Sequence, residues 1–325
     1  MTELLAVDGL RVRFRATSWL GARLRGIPDP FLDAVLDVSF RLAAGETLGL
    51  VGESGSGKTT LARAILGLVD IHAGSIRFRE RELVGLGASE HARLRRHIGF
   101  MFQDPVASLS PRKTVRSLVL EPSRIHRIAL PDPEAEARRL LDMVGLNAHF
   151  LDAYPHQLSG GQARRVGVAR ALALEPALII ADEPTAGLDV SVQGEVLNLM
   201  NGLQQRLGLS YLVVTHNLPV VRHISDRLAI MYLGRLVEQG PTSTVFQRPA
   251  HPYTKALLEA VPQPEPDRRR TNLELQGEVP SLRQRPSGCE FHTRCLYAQE
   301  RCRSEAPAFV ATGAERGVRC HFPLV

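Results

Sequence analysis

The stretch TLGLVGESGSGKTT, Thr47 to Thr60, decides the fold. Leu48, Gly49, Leu50 and Val51 read as the end of a buried strand, and LARAILGL (61–68) has the apolar spacing of a helix. Between them, Gly52 to Thr59 fits G-x-x-x-x-G-K-[ST] in the strand–loop–helix context which that pattern requires. Chemistry explains the spelling. Small residues at Gly52, Ser54, Gly55, Ser56 and Gly57 let the backbone curl until successive N–H groups point at phosphate oxygens. The helix beginning near Lys58 aims its positive end at the same point. Lys58 adds a full charge for β- and γ-phosphates, and the Thr59 hydroxyl suits Mg²⁺. With Glu53 and Thr60, these residues make a cradle for a nucleoside triphosphate.

At 325 residues the chain has room for one large domain or two smaller ones. Hydrophobic residues at 44% and charged residues at 23% place it among ordinary soluble globular proteins. No apolar run approaches the ~18 residues that cross a bilayer, and MTELLAVDGLRVRF lacks a signal-peptide core. The expectation is a cytosolic protein. A net charge of +6 permits contact with nucleic acid or anionic lipid without arguing for either. Aromatics are sparse and not interleaved with Arg as base-stacking surfaces are, so no nucleic-acid partner is expected.

Residues 3–14 and 34–51 read as strands separated by turn signals that include GIPDP at 26–30. The irregular stretch from Arg15 to Pro30 holds the only Trp. An aromatic upstream of the phosphate loop suits either adenine stacking or a half-buried strand. GSIRFRERELVGL (74–86) reads as a strand pair, and HIGFMFQDP (97–105) as a short strand ending in Gln103, an amide able to bond a metal-bound water. From Thr114 to about Gly145 the pattern is helical, with Pro-containing breaks at 121–133. LSGGQARRVGVARALAL (158–174) is a second small-residue loop, Ser159, Gly160 and Gly161, opening a helix with Val166, Ala169 and Leu172 on one face. That is another anion-ready helix start, or simply an N-cap followed by two glycines.

ALIIADEPT (177–185) carries a buried strand to Asp182 and Glu183. Ligands of open parallel sheets bind at that end of the strands, where Asp182 suits a Mg²⁺ shell and Glu183 the polarising of an attacking water. LSYLVVTHNL (209–218) is another buried strand, ended by His216, and RLAIMYLGRLVEQG (227–240) reads as a hairpin. The β-α alternation from 47 to 235 predicts a mainly parallel, three-layer α/β core. Beyond Gly240 Pro becomes frequent, Arg268 to Arg270 form a basic run, and all four cysteines appear: Cys289, Cys295, Cys302 and Cys320. A linker and a small irregular module are expected there. Disulfides do not suit a reducing compartment. The spacing C-x5-C-x6-C-x17-C fits neither zinc ribbons nor ferredoxin runs, so it leaves zinc, with His292 and His321 as further ligands, and iron–sulfur equally open.

GESGSGKT, Gln103, LSGGQ, LIIADEP, GLD (187–189) and VTH, in that order, resemble the nucleotide-binding subunit of an ABC transporter. FQDPVASLSPR (102–112), YPHQLSGGQ (154–162), HISDRLAIMYLGRLVEQG (223–240), HPYTKALLEAVP (251–262) and SGCEFHTRC with Cys302 and Cys320 extend the resemblance to ATP-binding subunits of oligopeptide and dipeptide permeases, over nearly the whole chain. The resemblance implies a P-loop ABC cassette with an antiparallel β part at 1–245, a helical subdomain at about 104–165, and a cysteine-containing extension at 246–325. It also implies ATP hydrolysis with Glu183 as base, Gln103 as coupling glutamine, His216 as switch histidine, and Thr59, Gln103 and Asp182 as the Mg²⁺ set. Ser159, Gly160, Gly161 and Gln162 would face nucleotide held by a second ATPase subunit, a paralogue, with Asp189 at the seam and Phe14 at the adenine. Asn217 stands where the family usually has Asp, and Ala186-Gly187 where Ser-Ala is commoner.

The implied partners are two transmembrane permease subunits and an extracytoplasmic binding protein, with this chain peripheral on the cytoplasmic face of the inner membrane. Permease ATPases with this tail are associated with a four-iron, four-sulfur cluster, which the resemblance assigns to the four cysteines. The rival is a soluble ABC ATPase of translation or DNA repair. Those carry two cassettes or long coiled coils, and this chain shows one cassette and no sustained heptads. The cargo, whether dipeptide, oligopeptide, glutathione or nickel chelate, is not written in these residues.

Overall fold

The computed structural model describes residues 2–17, 29–261, 277–313 and 315–324. Trp19 and the basic run at 268–270 lie outside them. In chain order the strands are β1 (Glu3–Arg15), β2 (Phe31–Ala43), β3 (Thr47–Val51), β4 (Ala73–Phe78), β5 (Arg81–Glu82), β6 (Ile98–Met101), β7 (Leu178–Asp182), β8 (Ser210–Thr215), β9 (Arg227–Tyr232), β10 (Arg235–Pro241), β11 (Val310–Ala311) and β12 (Gly317–Val318). The chain forms two compact units, one comprising 1–3, 42–47 and 85–214, the other 4–41, 48–84 and 215–325.

In the first unit β6, β7 and β8 run parallel, with Ile98 opposite Leu178 and Leu178 opposite Ser210. Every residue of β7 and β8 is buried, as expected for parallel strands covered on both faces. Each buried Leu, Ile or Val there contributes about 1.5–3 kcal/mol. The helix Pro133–Met143 shows how local chemistry sets an element. Asp132 caps it by accepting from the N–H groups of Glu134 and Ala135, Pro133 opens it, and Ala137, Leu140 and Leu141 form its buried stripe.

In the second unit β3 lies parallel to β9, β9 turns antiparallel into β10, and β12 and β11 follow outward. A separate antiparallel sheet has the order β2-β1-β4-β5. The aliphatic core around Val51, Ile230 and Val237 includes Tyr253 and Phe291, with Cys289 and Cys295 packed against it. The C-terminal segment is therefore built into this unit's core.

Parallel core strands, antiparallel pairs and the hairpins at 74–86 and 227–240 stand as expected. Two strand expectations need correction. The stretch 34–51 is two strands, because Gly45 at φ 77° turns the chain between β2 and β3. The strand before Gln103 stops at Met101, leaving the glutamine on the following loop.

Candidate nucleotide site

The phosphate loop leaves β3, all five of whose residues are buried. Its glycines are fixed by close approach and by backbone angle. A Cβ on Gly52 would sit 2.1 Å from the Met231 carbonyl oxygen, and one on Gly57, at φ 100°, would sit 2.3 Å from that of Ala34. No other residue fits either position. The Ser56 carbonyl accepts from the Gly234 N–H at 2.9 Å, while Ser54 and Gly55 form the exposed crest. The helix Lys58–Ile65 starts at Gly57 without a side-chain cap from that residue, and its N-terminus is the end of a helix that suits an anion. Lys58 is buried, its Nζ donating to Gly52 O at 2.8 Å, Glu53 O at 2.9 Å and Ser56 Oγ at 3.2 Å. Thr59 and Thr60 are half-buried on the helix's first turn.

In the same unit His216 is exposed immediately after β8. Asn217 caps the helix Leu218–Ile224 by accepting from Val220 N–H at 3.3 Å, a role Asp or Asn fills equally well. Phe14 lies near the end of β1 and is 42% exposed.

In the other unit the buried strand β7 delivers Asp182, itself buried, and then Glu183. Glu183 sits in the left-handed region at φ 50°, its N–H bonded to Val214 O at 2.7 Å. Strain of this kind at a strand end collects at functional positions. Ser159 and Gln162 form a reciprocal cap on the helix Gly160–Leu172: Ser159 Oγ accepts from Gln162 N–H at 3.2 Å, and Gln162 Oε1 from Ser159 N–H at 2.9 Å. Ser159, Gly160, Gly161 and Gln162 share a recess of about 630 Å³ with Gly187, Leu188 and Asp189. Asp189 in turn caps the helix Val190–Leu207.

The sequence reading missed Arg164. Its buried guanidinium donates to three backbone oxygens: Ala186 at 2.7 Å, Gln103 at 3.2 Å and Phe102 at 3.4 Å. Burial pushes its pKa down, and Asp104 opposes that shift. Gln103 itself is exposed and held by its backbone.

The four cysteines are free thiols, with Cys302 buried and the others half-buried. Burial pushes Cys289 up to about 11, and Cys320 and Cys302 add to that shift. Cys295 and Cys320 are raised by burial too, each also through other cysteines. The thiols thus lie within electrostatic range of one another, and sulfur is the donor that iron–sulfur clusters take. Nevertheless, no three or more His, Cys, Asp or Glu side chains among the described residues are arranged to hold a metal, so the expected four-cysteine ligand set is not assembled. Of the alternative zinc ligands, His292 has Nδ1 on Cys289 O and His321 has Nε2 on Glu305 O. Among the described residues, no helix is long and apolar enough to cross a membrane.

Residues 35–186 match the ABC transporter family and residues 237–302 the oligopeptide/dipeptide transporter C-terminal region. The chain is 46% identical to the probable peptide ABC transporter ATP-binding protein y4tS of Sinorhizobium fredii, over 90% of this chain and 83% of that protein. It is 45% identical to the oligopeptide transport ATP-binding protein OppF of Haemophilus influenzae, over 89% and 88%. Among solved structures, the dimeric ATP-binding cassette MJ0796 in a post-hydrolysis state with ADP and Pi aligns at TM-score 0.64 and 27% identity, covering 74% of this chain and 99% of that one. A cbiO1 structure from Clostridium perfringens aligns at TM-score 0.64 and 29% identity, over 76% and 92%.

The fold and phosphate loop define a P-loop ATPase. The chain belongs to the ABC transporter ATP-binding family, carrying the C-terminal region found in oligopeptide/dipeptide transporters. It is an ATP-hydrolysing transporter subunit.

Proposed function

We propose that this chain powers peptide import as one of two ATPase subunits on the cytoplasmic face of a bacterial inner membrane. The observation that carries this reading is the pairing, in one chain, of an ABC cassette with the oligopeptide/dipeptide C-terminal region. Relatives named for peptide or oligopeptide transport match about nine-tenths of the chain. Two permease subunits and a binding protein complete the system, and the second ATPase is a paralogue. Residues 1–245 are the cassette, about 104–165 its membrane-facing helical part, and 246–325 the extension.

In this reading Lys58 and the loop N–H groups hold the β- and γ-phosphates, and Phe14 meets the adenine. Thr59, Gln103 and Asp182 are a hydroxyl, an amide and a carboxylate, the hard oxygen donors Mg²⁺ takes. Bound Mg²⁺ would neutralise charge on the phosphates. Glu183 accepts the proton of the attacking water, and His216 bonds the γ-phosphate. Residues 159–162 and Asp189 face the partner subunit's nucleotide, which the exposed recess they share supports. The resemblance assigns the four cysteines an iron–sulfur cluster of structural role; the Cys289 N–H on Cys302 O at 2.8 Å brings two of them together, while the full ligand set is not assembled among the described residues.

The test is reconstitution with the neighbouring permease and ATPase subunits in proteoliposomes. Peptide-loaded binding protein should stimulate ATP turnover and drive peptide accumulation. Stimulation by a non-peptide cargo alone would refute the peptide assignment and leave the ATPase standing.

A further inference from the structure

Glu53 is the one charged residue of GESGSG (52–57), and its carboxylate is turned to Arg294. Its carboxylate is gripped by both guanidinium nitrogens of Arg294, Oε2 to Nη1 at 2.7 Å and Oε1 to Nη2 at 3.0 Å. Two parallel bonds fix the orientation of both groups, which a single contact would not. The Arg294 side chain is only 4% exposed. It rests 5.9 Å from the centroid of the Tyr232 ring, and its N–H donates to Phe291 O at 3.0 Å.

Glu53 is held a second time by the same part of the chain. Its backbone N–H donates to the Tyr253 hydroxyl at 3.0 Å. Tyr253 is fully buried and packs on Tyr232 at 4.7 Å and on Phe291 at 5.3 Å between ring centroids, with Tyr232 and Phe291 also 5.3 Å apart. This aromatic triad is a rigid seat, and two of its three rings come from beyond residue 245. The third polar group of Glu53, its carbonyl, accepts from Lys58. Carboxylate and N–H are thus fastened to the C-terminal extension, and the carbonyl to the cation of the cradle.

From this geometry we infer that Arg294, with Tyr253, is a positioning residue of the ATP site, holding the entry turn of the phosphate loop through Glu53. The inference rests on the reading of residues 52–60 as the nucleotide cradle. A cradle of backbone N–H groups binds tightly only if it is ordered before ligand arrives. Freeing its first turn adds the ordering of about one residue to the work of binding, of the order of tenfold in affinity. Chemistry is untouched, because no clamp atom is directed at the reacting groups.

The test is Mg-ATP titration of the full-length chain, with steady-state hydrolysis in the assembled transporter. Arg294→Ala should raise Kd and KM for ATP about tenfold while kcat stays within about twofold, the split expected when binding alone is lost. Arg294→Lys, which keeps charge without the fork, should recover only part of the affinity. Glu53→Gln should match Arg294→Ala, and the double variant should be no worse than either, since both remove the same pair. Tyr253→Phe, which keeps the ring and removes the hydroxyl, should weaken binding about threefold, the low end for one hydrogen bond. ATP affinity within twofold of wild type in Glu53→Gln, which is partly exposed and leaves the core intact, overturns the clamp even if Arg294→Ala fails to fold. Lys58→Ala separates the two levels. If it too binds ATP normally, the cradle reading has failed; if it alone loses ATP, only the clamp has.

Discussion

Arg164 Nη2 bonds the Ala186 carbonyl at 2.7 Å while its Nη1 bonds that of Gln103 at 3.2 Å, so one buried side chain ties the glutamine loop to the segment after Glu183. One end of the tie is the carbonyl of Gln103 itself, and the other lies three residues past Glu183, the proposed base. Arg164→Lys should therefore disturb turnover before it disturbs nucleotide binding. One ammonium cannot span both carbonyls as a planar fork does. We expect hydrolysis to fall about tenfold with ATP affinity near wild type, and Arg164→Ala to lower stability by about 2–4 kcal/mol through unpaired buried carbonyls and a cavity. Paired turnover and denaturant-melt measurements check this. Full turnover in the Lys variant would show the tie to be structural only.

Glu183, the proposed base, also has a strained backbone. Glu183→Gln should lose 10²–10⁴-fold in hydrolysis, the usual size of a general-base contribution, while retaining ATP. Glu183→Gly should be equally inactive yet more stable than Glu183→Gln by about 1 kcal/mol, because glycine takes φ 50° without the steric penalty of a side chain. Melting temperatures of the two variants decide it. Equal melting would mean the left-handed turn stores no strain.

His251 is buried, and burial holds its pKa down at about 3. Its Nδ1 accepts from Tyr253 N–H at 3.0 Å, which needs the neutral ring. The unfolded chain takes up this proton near pH 6.5 and the folded chain does not, so stability is present above 6.5 and lost as pH falls towards 3. Between pH 6.5 and about 5 the loss is about 2 kcal/mol. His251→Asn, with a side-chain oxygen to accept the same N–H, should melt with a flatter pH dependence across that range. An unchanged slope would assign the acid sensitivity to other groups.

Anaerobically purified protein should be brown, with broad absorption near ~400 nm from thiolate-bound iron–sulfur. Cys→Ser at 289, 295, 302 or 320 should remove the colour. Stoichiometric zinc without iron would replace the cluster and retain the idea of a metal.

What the sequence made legible was what local chemistry dictates. The loop 52–60, the reciprocal cap of Ser159 and Gln162, and the buried run into Asp182 each depend on neighbours within a few residues. What it hid depends on distance along the chain. Arg294 meets Glu53 across 241 residues, and neither residue's surroundings announce the other. Arg164 did leave a trace: it precedes Val168 and Leu172 by four and eight positions, both buried, so it stands on the apolar stripe of its own helix. A charged residue in that register is a buried ion awaiting partners. The break at Gly45 was obscured because the residues on both sides have equally good strand character.

The pairing of β12 with β10, Glu238 opposite Val318 and Gln239 opposite Gly317, has a consequence for anyone who would trim the chain to its cassette. Cutting after residue 245 strips β10 of its outer neighbour and leaves a bare sheet edge, a template for adhesion between molecules. The same cut orphans Glu238, which is wholly buried and accepts from Ala250 N–H, His251 N–H and Arg316. A carboxylate stripped of these three donors must take water in their place. The tail thus guards solubility, and a truncated cassette would precipitate for reasons unrelated to ATP.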